Sequence, residues 1–528
     1  VHSRFTPGAS GHEPHATRGR VVARLLLLIS SVFILLGFVH LRADFPNNSP
    51  WMDWSKMTDE GWYGGAAIHS MLLGHWYLPG SFNPAVAMPV WPVMLRGWFA
   101  ITGLSMLWAR GLTMVLYTAS LWFLWATVRR SHSRVLAALA VLLTAANSFC
   151  YAFDRLAVLE PVLVFWMMLG FWLASLPRPA SLARSLLLDA LLGLTLAAMT
   201  LTKATGVALV PAVLWLATNN RSSQKRETAA AGWQRGIVSG AIALSVALGV
   251  NLIYYVGFVK PHYLADSKLL FAVNGYNAHL SILPQMTARA LRDGLWISPL
   301  LYPAALAVVM LAILWLHSLW RRPLFVAALL AMAADLAFIA YHTNFQPRYY
   351  LIIAMPMSIV LIEGLHALLV QLRQANAQAS RGAVKRRILW TLDLLGAMVV
   401  VGTIWSGAQT LVFAFTPQYS FLTAAQSIAA VVRADRGVKP LLLSDSGDDI
   451  SLFTDLPGLC DAYSLDPHPL LLQRYQPGWY AAWPSKTGNA MQYIDRLRAV
   501  YRIDEVARYQ VFDDPTRNQL VLFRLTPR

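Results

Sequence analysis

VVARLLLLISSVFILLGFVHL (residues 21–41) decides the class of this protein. Arg24 is its only Lys, Arg, Asp or Glu, and the rest is overwhelmingly apolar. A helix crossing the hydrocarbon core of a bilayer needs about 20 such residues. Comparable runs recur along the chain as far as residue 413. No small-residue cleavage site follows the first run, so it is expected to remain as an anchor rather than be removed as a signal peptide.

Composition agrees. Of 528 residues, 57% are hydrophobic and 13% charged, against about 25% charged in soluble proteins. The mean hydropathy is +0.48. The expected fold is an α-helical polytopic membrane protein. The net charge of +17 does not indicate nucleic-acid binding, because the cations are scattered through short loops rather than gathered on one domain. Cys150 and Cys460 lie far apart in sequence, which argues against a disulfide framework or a cysteine metal site.

The apolar runs predict about eleven transmembrane helices. They cover 21–41, 105–128, 135–152, 156–176, 185–201, 204–218, 236–258, 295–317, 323–341, 349–370 and 389–413. The connecting loops alternate in charge. One set holds Arg129, Arg130 and Arg134; Arg178 and Arg184; Arg221, Lys225, Arg226 and Arg235; Arg321 and Arg322; and Arg373, Arg381, Lys385, Arg386 and Arg387. Short loops of the other set carry a single cation each, Arg155, Lys203 or Arg348. The positive-inside rule puts the first set in the cytoplasm, together with the tail 1–20 and its Arg4, Arg18 and Arg20. This predicts a multi-pass protein of the cytoplasmic (inner) membrane with a cytoplasmic N-terminus.

The transmembrane domain is expected over 21–415 and an extracytoplasmic domain over 416–528. The first outer loop, 42–104, is rich in Trp, Tyr and Pro, and its segments 60–76 and 89–101 have the spacing of interfacial helices. The second, 259–294, carries Lys260, His262, Tyr263, Asp266, Lys268, Asn274, Tyr276, Asn277 and His279. Such residues suit sugar hydroxyls as well as plain solvation. His262, Tyr263, His279 and His342 are the candidate substrate-binding residues. Beyond 417, residues 422–436 have the pattern of an amphipathic helix and KPLLLSDSG (439–447) that of a strand entering a turn. YQVF and QLVLFRL, joined by DDPTRN, have the pattern of a hairpin, so a small α/β domain is expected. Asp445, Asp448 and Asp449 there have the character of cap or turn residues more than of cation ligands.

Chemistry gathers on the outer side. Asp59 and Glu60 are adjacent in the first outer loop, and Arg155, Glu160, Lys203 and Arg348 fall at span ends on the same side. Each has a plain explanation: a helix cap, an ion pair, a snorkelling lysine, a lipid anchor. Taken together they fit transfer of a sugar from a lipid phosphate. The leaving phosphate needs cations, for which Arg348, Lys203 and Arg155 are placed. The incoming hydroxyl needs a carboxylate base, for which Asp59 is the candidate. Glu60 or Glu160 can orient the acceptor or hold a divalent cation. No cofactor is required by these residues, and a metal stays an open option.

These residues resemble the GT-C membrane glycosyltransferases, within which the protein O-mannosyltransferases, lipid A aminoarabinose transferases and Rgt-type lipopolysaccharide-core transferases are the nearest likenesses. TDEGWYG (58–64) is similar to the family's Asp-Glu motif. DRLAVLEPVLVFW (154–166) is similar to its Arg followed five positions later by an acidic residue and then Pro, here Arg155, Glu160 and Pro161. LTKATGVALVPA (201–212) resembles its Thr-Lys segment, and QPRYYLIIAMP (346–356) its Pro-Arg-Tyr motif. The resemblance runs over about residues 20–415 in the family's order. It implies Asp59 as catalytic base with Glu60 beside it, Glu160 as second acidic residue with Arg155 as neighbour, and Lys203 and Arg348 on the lipid phosphate. It further implies a polyprenyl-phosphate monosaccharide donor, inversion at the anomeric carbon, and an acceptor outside the membrane that is a glycolipid, a polysaccharide or a protein. Glu160 stands where mannosyltransferases usually carry Asp, and Pro84, Pro89 and Pro92 stand apart where the family pairs prolines. Two rival readings remain: a secondary transporter, for which the mid-span Asp335 would be a proton-relay residue, and a non-catalytic lipid-binding assembly subunit.

Overall fold

A computed structural model describes residues 13–46, 49–51, 53, 59–222, 229–273, 278–377, 382–460, 469–484, 489–512 and 518–528. Arg4, Lys225, Arg226, Asn274, Tyr276, Asn277, Arg381, Thr58 of the Asp-Glu motif and most of the turn DDPTRN lie outside the described residues.

The membrane part is helical. Its elements are α1 (Glu13–Phe38), α2 (Asp59–Leu72), α3 (Val90–Thr102), α4 (Met106–Ser131), α5 (Arg134–Ala145), α6 (Ser148–Phe153), α7 (Leu159–Ser175), α8 (Leu182–Thr202), α9 (Gly206–Ser222) and α10 (Ala229–Tyr254). After these come α11 (Lys260–His262), α12 (Leu264–Val273), α13 (Leu283–Asp293), α14 (Leu301–Leu314), α15 (Pro323–His342), α16 (Leu351–Ala377) and α17 (Gly382–Phe415). Among the described residues, seven helical segments are long and apolar enough to cross a membrane. Shorter apolar helices, Arg134–Ala145, Leu159–Ser175, Gly206–Asn219 and Leu301–Leu314, stand at four further predicted spans.

Two spans differ from expectation. The run 135–152 is broken between α5 and α6, where Asn147 accepts hydrogen bonds from the Phe149 and Cys150 backbone N–H groups and starts a new helix. The run 295–317 begins only at Leu301, after a 3-10 turn over Gly294–Trp296. The loop 259–294 also has more structure than its polar composition promised, since it contains α11, α12 and α13. Both segments expected as interfacial helices are helical, as α2 and α3.

The described members of the two charge sets occupy opposite ends of the bundle. Arg20 sits near the start of α1, whereas Arg155 donates to the Val39 and His40 carbonyls just past its other end. The sequence separation of 19 from Arg20 to Val39 corresponds to about 28 Å of helix. The segment Pro347–Ala377 is the centre of the bundle: 94% of its most apolar window is buried. Its first residues therefore reach the functional end from inside the protein.

The C-terminal domain starts with α18 (Ser420–Ala434), whose first turn is held by Asp44: that carboxylate accepts from the Ser420 N–H and hydroxyl at 2.7 and 2.6 Å. The sheet contains β1 (Leu442–Ser444), β2 (Gly458–Cys460), β3 (Trp479–Ala482), β4 (Tyr501–Gln510) and β5 (Gln519–Pro527) in the order β2-β1-β3-β5-β4. β1 is parallel to β2 and β3, while β5 is antiparallel to β3 and β4. The predicted hairpin is thus real, with a first strand longer than YQVF. Side chains alternate across the sheet. Leu442, Trp479 and Leu522 pack with α18, and Leu443, Tyr480 and Leu525 pack with α20 (Pro469–Tyr475) and α21 (Asn489–Arg498). The remaining helix, α19 (Gly447–Thr454), does not stay with the sheet alone. It lies against α2, and its Leu452 joins the core of the bundle.

Candidate active site

Four separate helix ends meet at this end of the bundle. Asp59 is the first residue of α2, where an acidic group favours the helix N-terminus. Glu160 is in the first turn of α7, followed by Pro161. Lys203 terminates α8. Arg348 lies in a 3-10 turn, Pro347–Tyr350, that leads into α16.

Arg348 joins them. Its Nη2 lies 2.5 Å from Asp59 Oδ2, and its Nε lies 3.4 Å from Glu160 Oε1. Its Nη1 lies 2.5 Å from Asp53 Oδ1, and its backbone N–H donates to Asp53 Oδ2 at 3.0 Å. Lys203 Nζ donates to Glu160 Oε1 and sits 3.9 Å from the centre of the Tyr349 ring, an arrangement that stabilises an ammonium. Asp335 on α15 is buried within electrostatic range of Lys203 and Glu160. The site is therefore a compact network of buried carboxylates around two cations. Within it the Asp59 side chain retains 15% exposure, against none for Asp53 and Glu160. Next to Asp59, burial and the Asp59 charge push the Tyr63 phenol well above its usual range, so that it stays neutral.

Asp53 was not among the candidates. It stands alone in the stretch WMDW (51–54), with no helical or motif signal around it. Arg110 was missed as well. It donates Nε and Nη2 to Glu60 at 2.7 and 2.5 Å, and Nη1 to the Leu41 and Ala43 carbonyls. Glu60 Oε1 also accepts from the Ala157 N–H at 2.7 Å. Glu60 thus faces the framework, tying α2 to α4 and to the loop that precedes Glu160. Arg155 is turned away from the network in the same fashion: it donates to the Tyr151 hydroxyl and to the Val39 and His40 carbonyls. The geometry gathers Asp59, Glu160, Lys203 and Arg348, and leaves Glu60 and Arg155 as struts beside them.

The other candidates scatter. His262 and His279 are exposed, and Tyr263 packs edge-on to Tyr77 with ring centres 5.0 Å apart. His342 stacks on Phe338 at the end of α15 and lies within electrostatic range of Lys203. For a divalent cation, Glu60 has both oxygens engaged, while Glu160 Oε2 is buried without a hydrogen-bond partner. Asp335 Oδ2 is in the same position, so among the described residues Glu160 and Asp335 each have a buried carboxylate oxygen to offer. Among the described residues, the group of potential ligand atoms that comes within 4.8 Å lies elsewhere, at His132, Glu363 and His366, where Arg322 already bridges Glu363 and His366.

α19 closes one side of the site. A Cβ at Gly61 would lie 2.3 Å from the Asp449 backbone nitrogen, and one at Gly65 would lie 2.8 Å from Asp448 Oδ2. Glycine at 61 admits the α19 backbone this closely, and glycine at 65 leaves room for the Asp448 carboxylate. Asp448 then pairs with His69 at 2.9 Å. Asp449 accepts from the Gly61 N–H, and burial beside Glu60 raises its pKa well above the usual carboxylate range. Trp62, Gly65, His69, Phe82, Asn83 and Asp448 line a narrow cleft of about 10 Å³ along this seam.

Residues 84–256 match the family described as Dolichyl-phosphate-mannose-protein mannosyltransferase. The match contains Arg155, Glu160 and Lys203 but neither Asp59 nor Arg348. A search of curated proteins finds no match. Among solved structures, the chain is similar to ArnT from Cupriavidus metallidurans bound to undecaprenyl phosphate, with 14% identity, TM-score 0.57, and coverage of 95% of this chain and 98% of that one. The apo state of the same protein gives TM-score 0.56 at 14% identity, over 96% and 98% of the two chains. The archaeal oligosaccharyltransferase AglB from Archaeoglobus fulgidus, in complex with an inhibitory peptide and a dolichol-phosphate, gives 13% identity and TM-score 0.51 over 97% of this chain and 74% of that one.

Proposed function

We propose that this chain, a multi-pass membrane protein with the fold of the GT-C glycosyltransferases, transfers a monosaccharide from a polyprenyl-phosphate donor to an acceptor at the membrane surface. One observation carries the reading: a single buried guanidinium, Arg348, contacts the most exposed carboxylate of the site and the partner of Lys203. A base and an anion-binding pair are thereby held within one side chain's reach. The lipid phosphates bound by the similar ArnT and AglB structures support a donor of this class.

In this mechanism the donor phosphate takes the Arg348 fork now occupied by Asp59, and Lys203 supplies a second positive charge. The displaced Asp59 carboxylate accepts the proton of an acceptor hydroxyl as that oxygen bonds to the anomeric carbon. The bond from that carbon to the phosphate oxygen breaks, and the electron pair leaves with the polyprenyl phosphate. Arg348 and Lys203 compensate the charge that develops there. Attack opposite the leaving group inverts the anomeric centre. Glu160 keeps Lys203 and Arg348 in place. Glu60 and Arg155 act through the framework, holding α2 and the α6–α7 loop, which differs from the expectation that Arg155 meets the leaving phosphate and that Glu60 orients the acceptor or holds a cation.

The test is direct. Purified protein is incubated with a polyprenyl-phosphate hexose or pentose and a membrane extract of acceptors, and sugar transfer is followed by mass spectrometry. The wild type should release polyprenyl phosphate and yield a glycosylated product. D59N should bind the donor without turnover. Turnover undiminished in D59N would overturn the assignment of the base, and absence of any lipid-phosphate binding by the wild type would overturn the donor class.

A further inference from the structure

At the opposite end of the bundle, four arginines from three helices converge on one cleft. Arg20 and Arg24 come from α1, Arg129 from the end of α4 and Arg134 from the start of α5. The cleft holds about 330 Å³, within the size range of ligand sites. Its wall between the arginines is apolar, with Leu27 and Trp125. Among the described residues, none of the four has a carboxylate within ion-pair distance; Arg129 donates to the His132 carbonyl, which leaves its charge uncompensated. Arg20 and Arg24 are one turn apart on the same face of α1, a like-charge spacing that opposes the helix. The Trp125 indole N–H is buried with no acceptor.

Orientation in the membrane accounts for arginines at this end, but not for their convergence. Lone snorkelling residues would spread to minimise repulsion. Here repulsion, an apolar wall and an idle indole donor meet at one place. All three are relieved by an anion that also carries hydrocarbon. Above the cleft, α1 presents Leu28, Val32 and Leu35 outward, a track for acyl chains.

We propose that this cleft binds an anionic phospholipid of the bilayer, with two phosphates in its headgroup, as a structural lipid distinct from any donor. One phosphate lies between Arg20 and Arg24 and the other between Arg129 and Arg134. Arginine suits this role because its planar fork binds phosphate oxygens in pairs. The bound lipid fastens α1 to the α4–α5 hairpin at the end of the protein remote from Asp59.

The experiment uses the full-length protein in mild detergent. Native mass spectrometry compares binding of a diphosphatidylglycerol lipid with that of a zwitterionic phosphatidylethanolamine of the same chain length. Three proteins are tested: the wild type, R24Q/R129Q/R134Q, and a control, R184Q/R321Q/R386Q, that removes equal charge from the same end outside the cleft. The wild type and the control should prefer the diphosphate lipid at least about fivefold. The cleft variant should lose that preference. A double variant of the exposed positions, R24Q/R134Q, should show a partial loss and covers the case in which the triple variant does not fold. Equal losses in the cleft and control variants would reduce the effect to general charge and overturn the proposal. So would displacement of the lipid by millimolar inorganic phosphate, since the apolar wall would then contribute nothing.

Discussion

Arg348 Nη2 and Asp59 Oδ2 lie 2.5 Å apart although 289 residues (59 to 348) separate them in the chain. This pair joins the two proposed roles: the group proposed to receive the phosphate contacts the group proposed to receive the proton. In the proposed mechanism, breaking it is a condition of activity. D59N should therefore lower turnover by about 10²–10⁴-fold, the usual worth of a general base, while donor affinity stays level or rises because the fork is released. R348K should act the other way, weakening donor binding about tenfold or more, since an ammonium cannot reproduce a fork at a paired site. Donor binding by isothermal titration and turnover measured on the same preparations separate the two. Tighter donor binding in R348K than in D59N would contradict this arrangement.

Glu60 lies next to Asp59 in sequence but does different work. Its bidentate contact with Arg110 is almost fully buried, with side-chain exposures of 2% and 7%. Removing one partner of such a pair leaves a buried charge unmatched and costs about 3–5 kcal/mol. E60Q and R110Q should each lower the thermal midpoint in detergent substantially, and the double variant should lose less than the sum of the two. If E60Q keeps wild-type stability and loses only turnover, Glu60 belongs to the chemistry and not to the framework.

Much of this was legible in the chain. Apolar runs of bilayer length located the helices, since each span must satisfy its own backbone inside the membrane. Loop charge gave an alternation, and the described members of its two sets lie at opposite ends. The residues that converge were visible in the sequence, Asp59 in the first outer loop and Glu160, Lys203 and Arg348 at span ends. What was hidden is direction. Sequence places Glu60 and Arg155 beside the site but cannot say that their side chains turn to Arg110 and to the end of α1, because that depends on which neighbouring helix offers a partner. Asp53 was hidden because its role comes from a contact with Arg348 across the fold. The Gly61–Gly65 spacing was readable as a close-packing signal, though not the helix that uses it.

That helix makes the seam between domains sensitive to pH. Burial and the neighbouring Glu60 raise the pKa of Asp449 in the folded protein, while its value in the unfolded chain stays in the ordinary carboxylate range. Between the two values the folded state binds more protons than the unfolded one. Stability contributed here is thus fully present below the unfolded pKa and is lost as pH rises through the raised value. The thermal midpoint should fall over that interval. In D449N, which stays neutral, the fall should be smaller. Identical pH profiles for D449N and the wild type would show that Asp449 does not govern the seam.

The close approach at Gly61 gives the last prediction. A methyl group there would collide with the backbone of Asp448 and Asp449, at 2.4 and 2.3 Å, and backbone has no rotamer with which to give way. G61A should cost at least the about 1–3 kcal/mol typical of overpacking and loosen α19 from α2. Gly97 provides the comparison: it lies within α3 with nothing within 4 Å of an added Cβ. G97A should leave stability unchanged or raise it by up to about 1 kcal/mol through the unfolded state. Limited proteolysis reads the difference, with the C-terminal domain of G61A released faster than that of G97A or the wild type. If G61A and G97A are cleaved at the same rate, the α2–α19 contact does not hold the two parts together. The cleft beside His69 and Asp448 would then lose its fixed wall.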